Sequence, residues 1–518
     1  MKIVKLLSLG LCLCLFTLSV SAQIKEKKLD QLIEKTLETF DVPGISVGII
    51  KDDKVVYAKG HGVRSLANNK EMNQNTLVGV ASNSKGFTCF ALGILVDEGK
   101  LDWDDKVRKH IPEFQMPDAW VTEEFTVRDL VTHRSGLSLG AGDLMFFPEG
   151  GDFTIDDVLA NVSQLDTESS FRSSFRYNNN MFIIAGEVIH RISGMSWDKF
   201  IETRILQPVG MENSKASYNR VTDKSNIIDA HTRTEGEVIQ IPHDWSELAN
   251  PAGGIMSNVT DMLTWAKFLM NDAVTENGKR LLSEKQMHKL WQLQTPLPVS
   301  KDNDYNTHFY GYSLGWFVSD VKGYKQVTHT GGLLGTVTQF TLIPELDLGI
   351  VVLTNQMIGG AFSSITNTVK DSYLGYEDRN WIKKNGKKND KWIAKNDSIK
   401  KAVYQQTKIY KDKSTLLDAQ QVTGTYEDAW FGKVHITQEG NALKITSERN
   451  PQVTGELLPY SETTYVAKWE NRSFDADVFV LFNLDEKGKA QSATMKYIAP
   501  ITDFSFDFGD LHLKRVSE

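Results

Sequence analysis

Ser82 and Lys85 stand three residues apart, ahead of a strongly apolar run over residues 90–96 that ends at Asp97-Glu98-Gly99. A buried helix is predicted to begin near Ser82, which puts hydroxyl and ammonium on one face and within hydrogen-bond reach. A lysine desolvated there falls from its reference pKa of ~10.4 and becomes a base toward the hydroxyl, as acyl transfer to serine requires. Ser196/Lys199, Ser319/Lys322 and Ser398/Lys401 repeat the spacing. Context separates them: Ser398 falls in a lysine-rich stretch, Ser319 in a turn-like Ser-Asp-Val-Lys-Gly, and Ser196 at the head of an amphipathic surface helix around Trp197 and Phe200. Only Ser82 opens a buried helix.

Two further segments carry polar groups at the start of apolar elements. Arg176-Tyr177-Asn178-Asn179 precedes a helical run over 181–189, and His329-Thr330-Gly331-Gly332 precedes a strand-like run over 337–343. In order, Ser82-x-x-Lys85, Tyr177-x-Asn179 and His329-Thr330-Gly331 resemble the three-motif signature of the serine β-lactamase and penicillin-binding-protein superfamily. The branch is the class C-like one of β-lactamases, D,D-carboxypeptidases, D-aminopeptidases and esterases. Val42-Pro43-Gly44-Ile45-Ser46-Val47, Thr126-Val127-Arg128-Asp129-Leu130-Val131-Thr132-His133-Arg134-Ser135-Gly136-Leu137, Pro251-Ala252-Gly253-Gly254-Ile255 and Gly311-Tyr312-Ser313-Leu314-Gly315-Trp316 extend the likeness over residues 29–373. Residues 422–514 resemble the lipocalin-like barrel that follows the catalytic domain in some peptidases of this family acting on D-amino-acid peptides.

The resemblance implies an α+β fold: a β-lactamase/transpeptidase-like domain, with an antiparallel sheet flanked by helices plus a helical subdomain, followed by a small all-β lipocalin-like barrel. It implies that Ser82 is the nucleophile, that Lys85 and Tyr177 relay its proton to the leaving group, and that Asn179 orients lysine or substrate. Backbone N–H groups of Ser82 and Gly332 would hold the oxyanion, with Thr330 along the same edge. His329 departs from the Lys-Thr-Gly pattern. A lysine there supplies a fixed positive charge for a substrate carboxylate, whereas histidine is mostly neutral near pH 7. The expected activity is therefore cleavage of an ester or amide by an exported serine hydrolase, with β-lactamase, D,D-carboxypeptidase or a non-turnover acylated penicillin-recognising protein as alternatives.

Periodicity outlines the elements that position these groups. Leu29, Leu32, Ile33, Leu37 and Phe40 recur at helical spacing, Val42-Pro43-Gly44 stops that helix, and strand-like runs follow over 45–50 and 54–58. The last strong strand before the texture changes is 348–354. Residues 383–413 hold 11 lysines and three acids and read as a linker, a solvated helix or spacer. Beyond Val422 the period becomes two, at Val434/Ile436, Leu443/Ile445, Tyr465/Ala467/Trp469, 478–482 and Phe504/Phe506/Phe508, as short strands of a barrel or sandwich require. The expected divisions are 1–22 signal peptide, 23–375 hydrolase domain, 376–418 lysine-rich linker and 419–518 barrel.

At 518 residues the chain is too long for one core, and its formal charge of −8 excludes an overall basic footprint for nucleic acid. Lys2 and Lys5, an apolar run over 6–20 and Val20-Ser21-Ala22 predict a secretory signal cleaved after Ala22, too short to span a bilayer. The product would be periplasmic or secreted. Cleavage takes Cys12 and Cys14 away, leaving Cys89 unable to form an intrachain disulfide. No zinc, phosphate-loop or calcium motif is present, so no cofactor and no metal are expected. The expected partner is a small-molecule or peptide substrate, with no nucleic acid and no stable membrane span. Gly136-Leu137-Ser138-Leu139-Gly140 matches the nucleophile-elbow pattern but lacks the flanking strand and helix that an elbow needs.

Overall fold

The computed structural model describes residues 24–411 and 417–517; the expected signal segment, 1–22, lies outside them. The fold is α+β, with a closed barrel at the C-terminal end. Helix α1 (Glu26–Phe40) buries Leu29, Ile33 and Phe40 along the stripe that the spacing predicts. It leads into β1 (Gly44–Lys51) and β2 (Lys54–Gly62).

These two strands form one edge of an eight-stranded antiparallel sheet. The others are β3 (Thr295–Pro296), β4 (Tyr310–Tyr312), β5 (Phe317–Val321), β6 (Tyr324–Leu333), β7 (Thr336–Ile343) and β8 (Leu348–Thr354), in the order β2-β1-β8-β7-β6-β5-β4-β3. Strand β8 is buried along its whole length because both sheet faces are covered. One face packs on α1 and on α5 (Gly359–Leu374). The other packs on α4 (Val259–Met270) and the helical part that holds α2 (Ser84–Asp97) and α3 (Asn180–Ser193). A strand between two apolar layers needs no polar alternation, which is why 348–354 reads as a continuous apolar run.

The lysine-rich stretch forms a single 30-residue helix, α6 (Trp381–Tyr410). Trp381 and Ile382 at its start join the core between sheet and α5, while Val403 near its end packs with Val466, Ile498 and Ala499 of the barrel. Buried ends and lysines along the rest allow it to bridge two cores while staying solvated.

Eight strands, β9 (Gly424–Asp428), β10 (Gly432–Glu439), β11 (Ala442–Ser447), β12 (Thr454–Pro459), β13 (Thr464–Trp469), β14 (Val478–Leu484), β15 (Ala490–Tyr497) and β16 (His512–Ser517), close the barrel in sequence order. Pairing of β9 with β16 removes the free edges. Phe504, Phe506 and Phe508 do not form the strand their alternation predicts. They lie in the loop from β15 to β16, where Phe506 packs on Phe147 and Phe474 with ring centroids 4.8 and 5.0 Å away, and Phe508 stacks on Trp469 at 4.8 Å. The loop is a run of turns in which Phe506, Asp507 and Phe508 are all buried, so the alternation of residue types marks no strand. Ser319, expected in a turn, sits on β5.

Candidate active site

A tight turn, Ala81–Asn83, precedes α2 and carries Ser82. Asn83 braces this turn, its Nδ2 donating to the Val80 carbonyl at 3.1 Å and to Thr338 Oγ1 on β7 at 2.9 Å. On the other side Gly331 of β6 presses against it: a Cβ at 331 would stand 2.3 Å from the Val80 oxygen and 2.8 Å from the Ala81 Cβ, so only glycine lets strand and turn meet. A Cβ at Gly332 would meet nothing within 4 Å, because this residue faces the cavity. Strand β5 pairs with β6 only as far as Thr328, which leaves no β5 partner beside His329 to Leu333.

Lys85 is fully buried at the second residue of α2, one turn after Ser82. Its Nζ makes three contacts: Ser82 Oγ at 3.1 Å, Asn179 Oδ1 at 2.8 Å and the Ala252 carbonyl at 2.8 Å. The last two partners can only accept, so each requires an N–H from the lysine. When Lys85 is neutral, the one position left for its lone pair faces Ser82 Oγ. Burial lowers this lysine to about 7, against the opposing pull of the Asp143 carboxylate. A neutral base aimed at the serine is thus accessible near neutral pH.

Tyr177 lies just before α3, with Lys85 Nζ 4.7 Å from its ring centroid. Its hydroxyl is buried beside Ser82 yet closes no well-aligned hydrogen bond, so it is free to meet a substrate atom. Burial raises its pKa well above the ordinary phenol range, and the Asp143 charge adds to this. Of the two groups beside Ser82, Lys85 is the one whose neutral form is accessible near neutral pH, while Tyr177 stays protonated. Asn178 and Asn180 serve the backbone, both donating to the Ala141 carbonyl.

His329 on β6 is buried and pushed down to about 3, first by desolvation and then by the Lys85 charge. Its Nδ1 contacts the Thr330 carbonyl, which can only accept, so Nδ1 carries the hydrogen and Nε2 accepts from Tyr312 Oη at 3.1 Å. The side chain is a neutral, aromatic-flanked wall. Thr330 and Gly332 project to the open side of the same strand.

Ser82, Tyr177, Asn179, His329, Thr330 and Gly332 line one cavity of about 410 Å³, with Lys85 beneath Ser82. All seven residues singled out in the sequence come together there. Phe146, Phe147, Trp245 and Phe317 give the cavity an aromatic wall, and Asp503, Phe504 and Ser505 reach into it from the barrel loop. A larger hollow, about 720 Å³, opens between Met116 and Phe171 and holds none of the seven. Ser138 sits in a loop without strand or helix beside it, so no nucleophile elbow forms. Among the described residues no cluster of His, Cys, Asp or Glu is placed to hold a metal ion, and no helix is long and apolar enough to cross a membrane.

Sequence reasoning missed three neighbours of the site. His133, within a quoted segment, packs its ring 4.1 Å from that of Tyr177. Asp143 accepts from Asn179 Nδ2 at 2.8 Å. The third is the barrel loop around Phe504, whose alternation predicts a strand. Asp143 had a signal, being the single charged residue in the otherwise apolar stretch 139–147.

Residues 29–373 match the family model described as Beta-lactamase, and residues 411–515 match one described as a domain of unknown function, DUF3471. The unguisins hydrolase ungD' of Aspergillus campestris is 25% identical over 338 residues, covering 63% of this chain and 60% of that protein. Protein flp of Staphylococcus aureus strain MRSA252 is 26% identical over 332 residues, covering 64% and 63%. The chain thus spans about three fifths of the length of these curated relatives. Among solved structures, the octameric penicillin-binding protein homologue from Pyrococcus abyssi superposes with a TM-score of 0.60 at 23% identity, covering 91% of this chain and 98% of that one. The crystal structure of SurE gives 0.55 at 18% identity, covering 95% and 98%.

Proposed function

Because the chain belongs to the beta-lactamase family, we propose that it is an exported serine hydrolase that cleaves an ester or amide bond through an acyl-enzyme on Ser82. The observation that carries this reading is the hydrogen-bonding of Lys85, whose two obligate acceptors leave its lone pair only the direction of Ser82 Oγ. Oγ bonds to the substrate carbonyl carbon as its proton passes to Lys85 Nζ. The developing oxyanion is taken by the backbone N–H groups of Ser82 and Gly332. Tyr177 hands its hydroxyl proton to the leaving oxygen or nitrogen and regains one from Lys85, and the C–O or C–N bond breaks. Water then adds to the acyl ester, and the serine leaves with a proton.

Neutral esters and peptide amides suit this cavity better than β-lactams. His329 offers no positive charge to a carboxylate, and the aromatic wall favours an apolar substrate portion. Export rests on the N-terminal segment with its cleavage site after Ala22. Steady-state hydrolysis of a p-nitrophenyl ester, a D-alanyl p-nitroanilide and a chromogenic cephalosporin tests the reading. The ester or anilide should be turned over in preference to the cephalosporin, and Ser82→Ala should lose about a thousandfold or more in kcat. Preference for the cephalosporin would overturn the substrate class. N-terminal sequencing of the protein secreted by its host should begin at Gln23.

A further inference from the structure

Asp143 has a fully buried carboxyl in the loop that precedes the aromatic wall. Its Oδ2 accepts two hydrogen bonds, from Asn179 Nδ2 at 2.8 Å and from Ser505 Oγ at 2.8 Å. Ser505 belongs to the loop between β15 and β16, so the second donor comes from the barrel. Two residues on, Asp507 grips the backbone on either side of Asp143, accepting from the Gly142 N–H at 2.6 Å and from the Leu144 N–H at 2.9 Å. Asn450 Nδ2, also from the barrel, donates to the Pro148 carbonyl at 2.8 Å and pins the far end of the same segment.

The polarity of this chain of contacts determines what it can do. An asparagine amide can turn over, offering either its oxygen or its NH2 to a given neighbour. A carboxylate at 143 can only accept, so it takes the NH2 end of Asn179 and leaves Oδ1 for Lys85. With the amide reversed, an NH2 group would face the lysine and its lone pair would be drawn toward Asn179, away from Ser82. Donation therefore runs from Lys85 to Asn179 to Asp143, and Ser505 of the barrel donates to the same carboxyl oxygen from the other side.

We propose that Asp143 is a positioning residue that fixes the Asn179 amide and thereby aims Lys85 at Ser82, and that the C-terminal barrel completes the active site by holding Asp143 through Ser505 and Asp507. The inference rests on the acyl-serine reading of the site. It makes the barrel part of the catalytic apparatus without any barrel residue having to touch the reacting carbonyl.

Charge supports the same arrangement. Burial pushes the Asp143 carboxyl up to about 7, the hydrogen bonds from Ser505 and Asn179 and the Lys85 charge oppose this, and the charged form of Asp143 in turn favours the protonated form of Lys85. The other titratable groups around them are held neutral by burial: Tyr177 and Cys89 protonated, His133 and His329 deprotonated, with Asp503 and Asp507 of the barrel loop raised above the usual carboxylate range. Tyr497 at the end of β15 also feels Asp143, and burial keeps its phenol protonated. Removing the Ser505 hydroxyl weakens the charge on Asp143, which in turn releases the proton of Lys85 at lower pH.

The test measures the rate of Ser82 modification by a fluorophosphonate as a function of pH, in the full-length protein, for wild type, Ser505→Ala, Ser505→Thr and Asp143→Asn. Ser505→Ala should lower the plateau rate by about tenfold and move the acid limb toward lower pH. Asp143→Asn should move that limb further in the same direction, and Ser505→Thr should restore both features. A purely structural role would change thermal stability but not the limb. A wild-type plateau and limb in Ser505→Ala, with wild-type labelling at Ser82 intact, would overturn this inference alone. Absence of labelling in folded wild type would overturn the acyl-serine reading along with it. If Ser505→Ala does not fold, Asp143→Asn with an unmoved limb is the overturning result.

Discussion

The ring of Phe504, on the barrel loop, meets the ring of Tyr177 edge-on with centroids 5.8 Å apart. Residues more than three hundred positions apart thus share one wall of the cavity. Phe504 is 36% exposed and contributes little to a core, so its removal should affect the cavity more than the fold.

Phe504→Ala should therefore widen the site. The ratio of kcat/KM for a p-nitrophenyl ester with a six-carbon acyl chain to that for the acetate should change by up to about tenfold, in favour of the longer chain. The melting temperature should move by only a degree or two. An unchanged ratio would mean that the acyl group lies elsewhere.

Activity should rise with pH through the region near 7. Lys85 must be neutral to receive the serine proton, and its folded pKa is lowered to about 7, so the protonated form dominates below that and the reaction fails. The kcat/KM profile should show an acid limb near 7 that belongs to the Lys85–Asp143 pair as a unit. His329, pushed down to about 3, adds no step between pH 4 and 9, and His329→Gln should leave the limb in place. A limb at 6.5 that vanishes in His329→Gln would assign the titration to the histidine instead.

Adjacent glycines should separate stability from catalysis. Gly331→Ala forces a Cβ against the Val80 oxygen and the Ala81 Cβ, and should cost about 1–3 kcal/mol of stability as β6 and the Ser82 turn move apart. Gly332→Ala meets no atom within 4 Å and should leave the melting temperature near that of the wild type. Its methyl group enters the cavity where the substrate carbonyl is to lie, so kcat/KM should fall at least about tenfold. Thermal melts and ester kinetics on the two variants would show the contrast, and equal melting temperatures would contradict it.

A positive charge at 329 should redirect the site. His329→Lys should raise kcat/KM for a substrate bearing a carboxylate, relative to a neutral ester, by several-fold to about tenfold. Competition between the two substrates in one reaction reads the ratio directly. No gain for the carboxylate substrate would mean that position 329 does not set the preference for neutral substrates.

Much of the fold was legible because single elements carry their own pattern. The stripe of Leu29, Ile33 and Phe40 faces one core, and the run over 348–354 is continuous because β8 lies between two layers. Ser82 and Lys85 could be paired because one helical turn joins them ahead of an apolar run, which sets them apart from the three other pairs of the same spacing. Asp143 could not be placed, because its meaning depends on Asn179, 36 residues on, and on Ser505, 362 residues on. Phe504, Phe506 and Phe508 misled for a related reason. Alternation of apolar residue types is not alternation of burial here: the segment is a run of turns in which Phe506, Asp507 and Phe508 are all buried and Phe504 is exposed, and only the three-dimensional arrangement distinguishes such a docked loop from a strand. The lysine-rich stretch is polar enough to read as a spacer, yet Trp381, Ile382 and Val403 anchor its two ends as a helix.

Mass spectrometry of the purified protein after treatment with a fluorophosphonate, comparing wild type with Ser82→Ala, tests the central claim most directly. The account predicts one adduct on the peptide containing Ser82 in the wild type and none in the variant. An adduct that persists in Ser82→Ala, or a folded wild type that takes none, would contradict the assignment of Ser82 as the nucleophile.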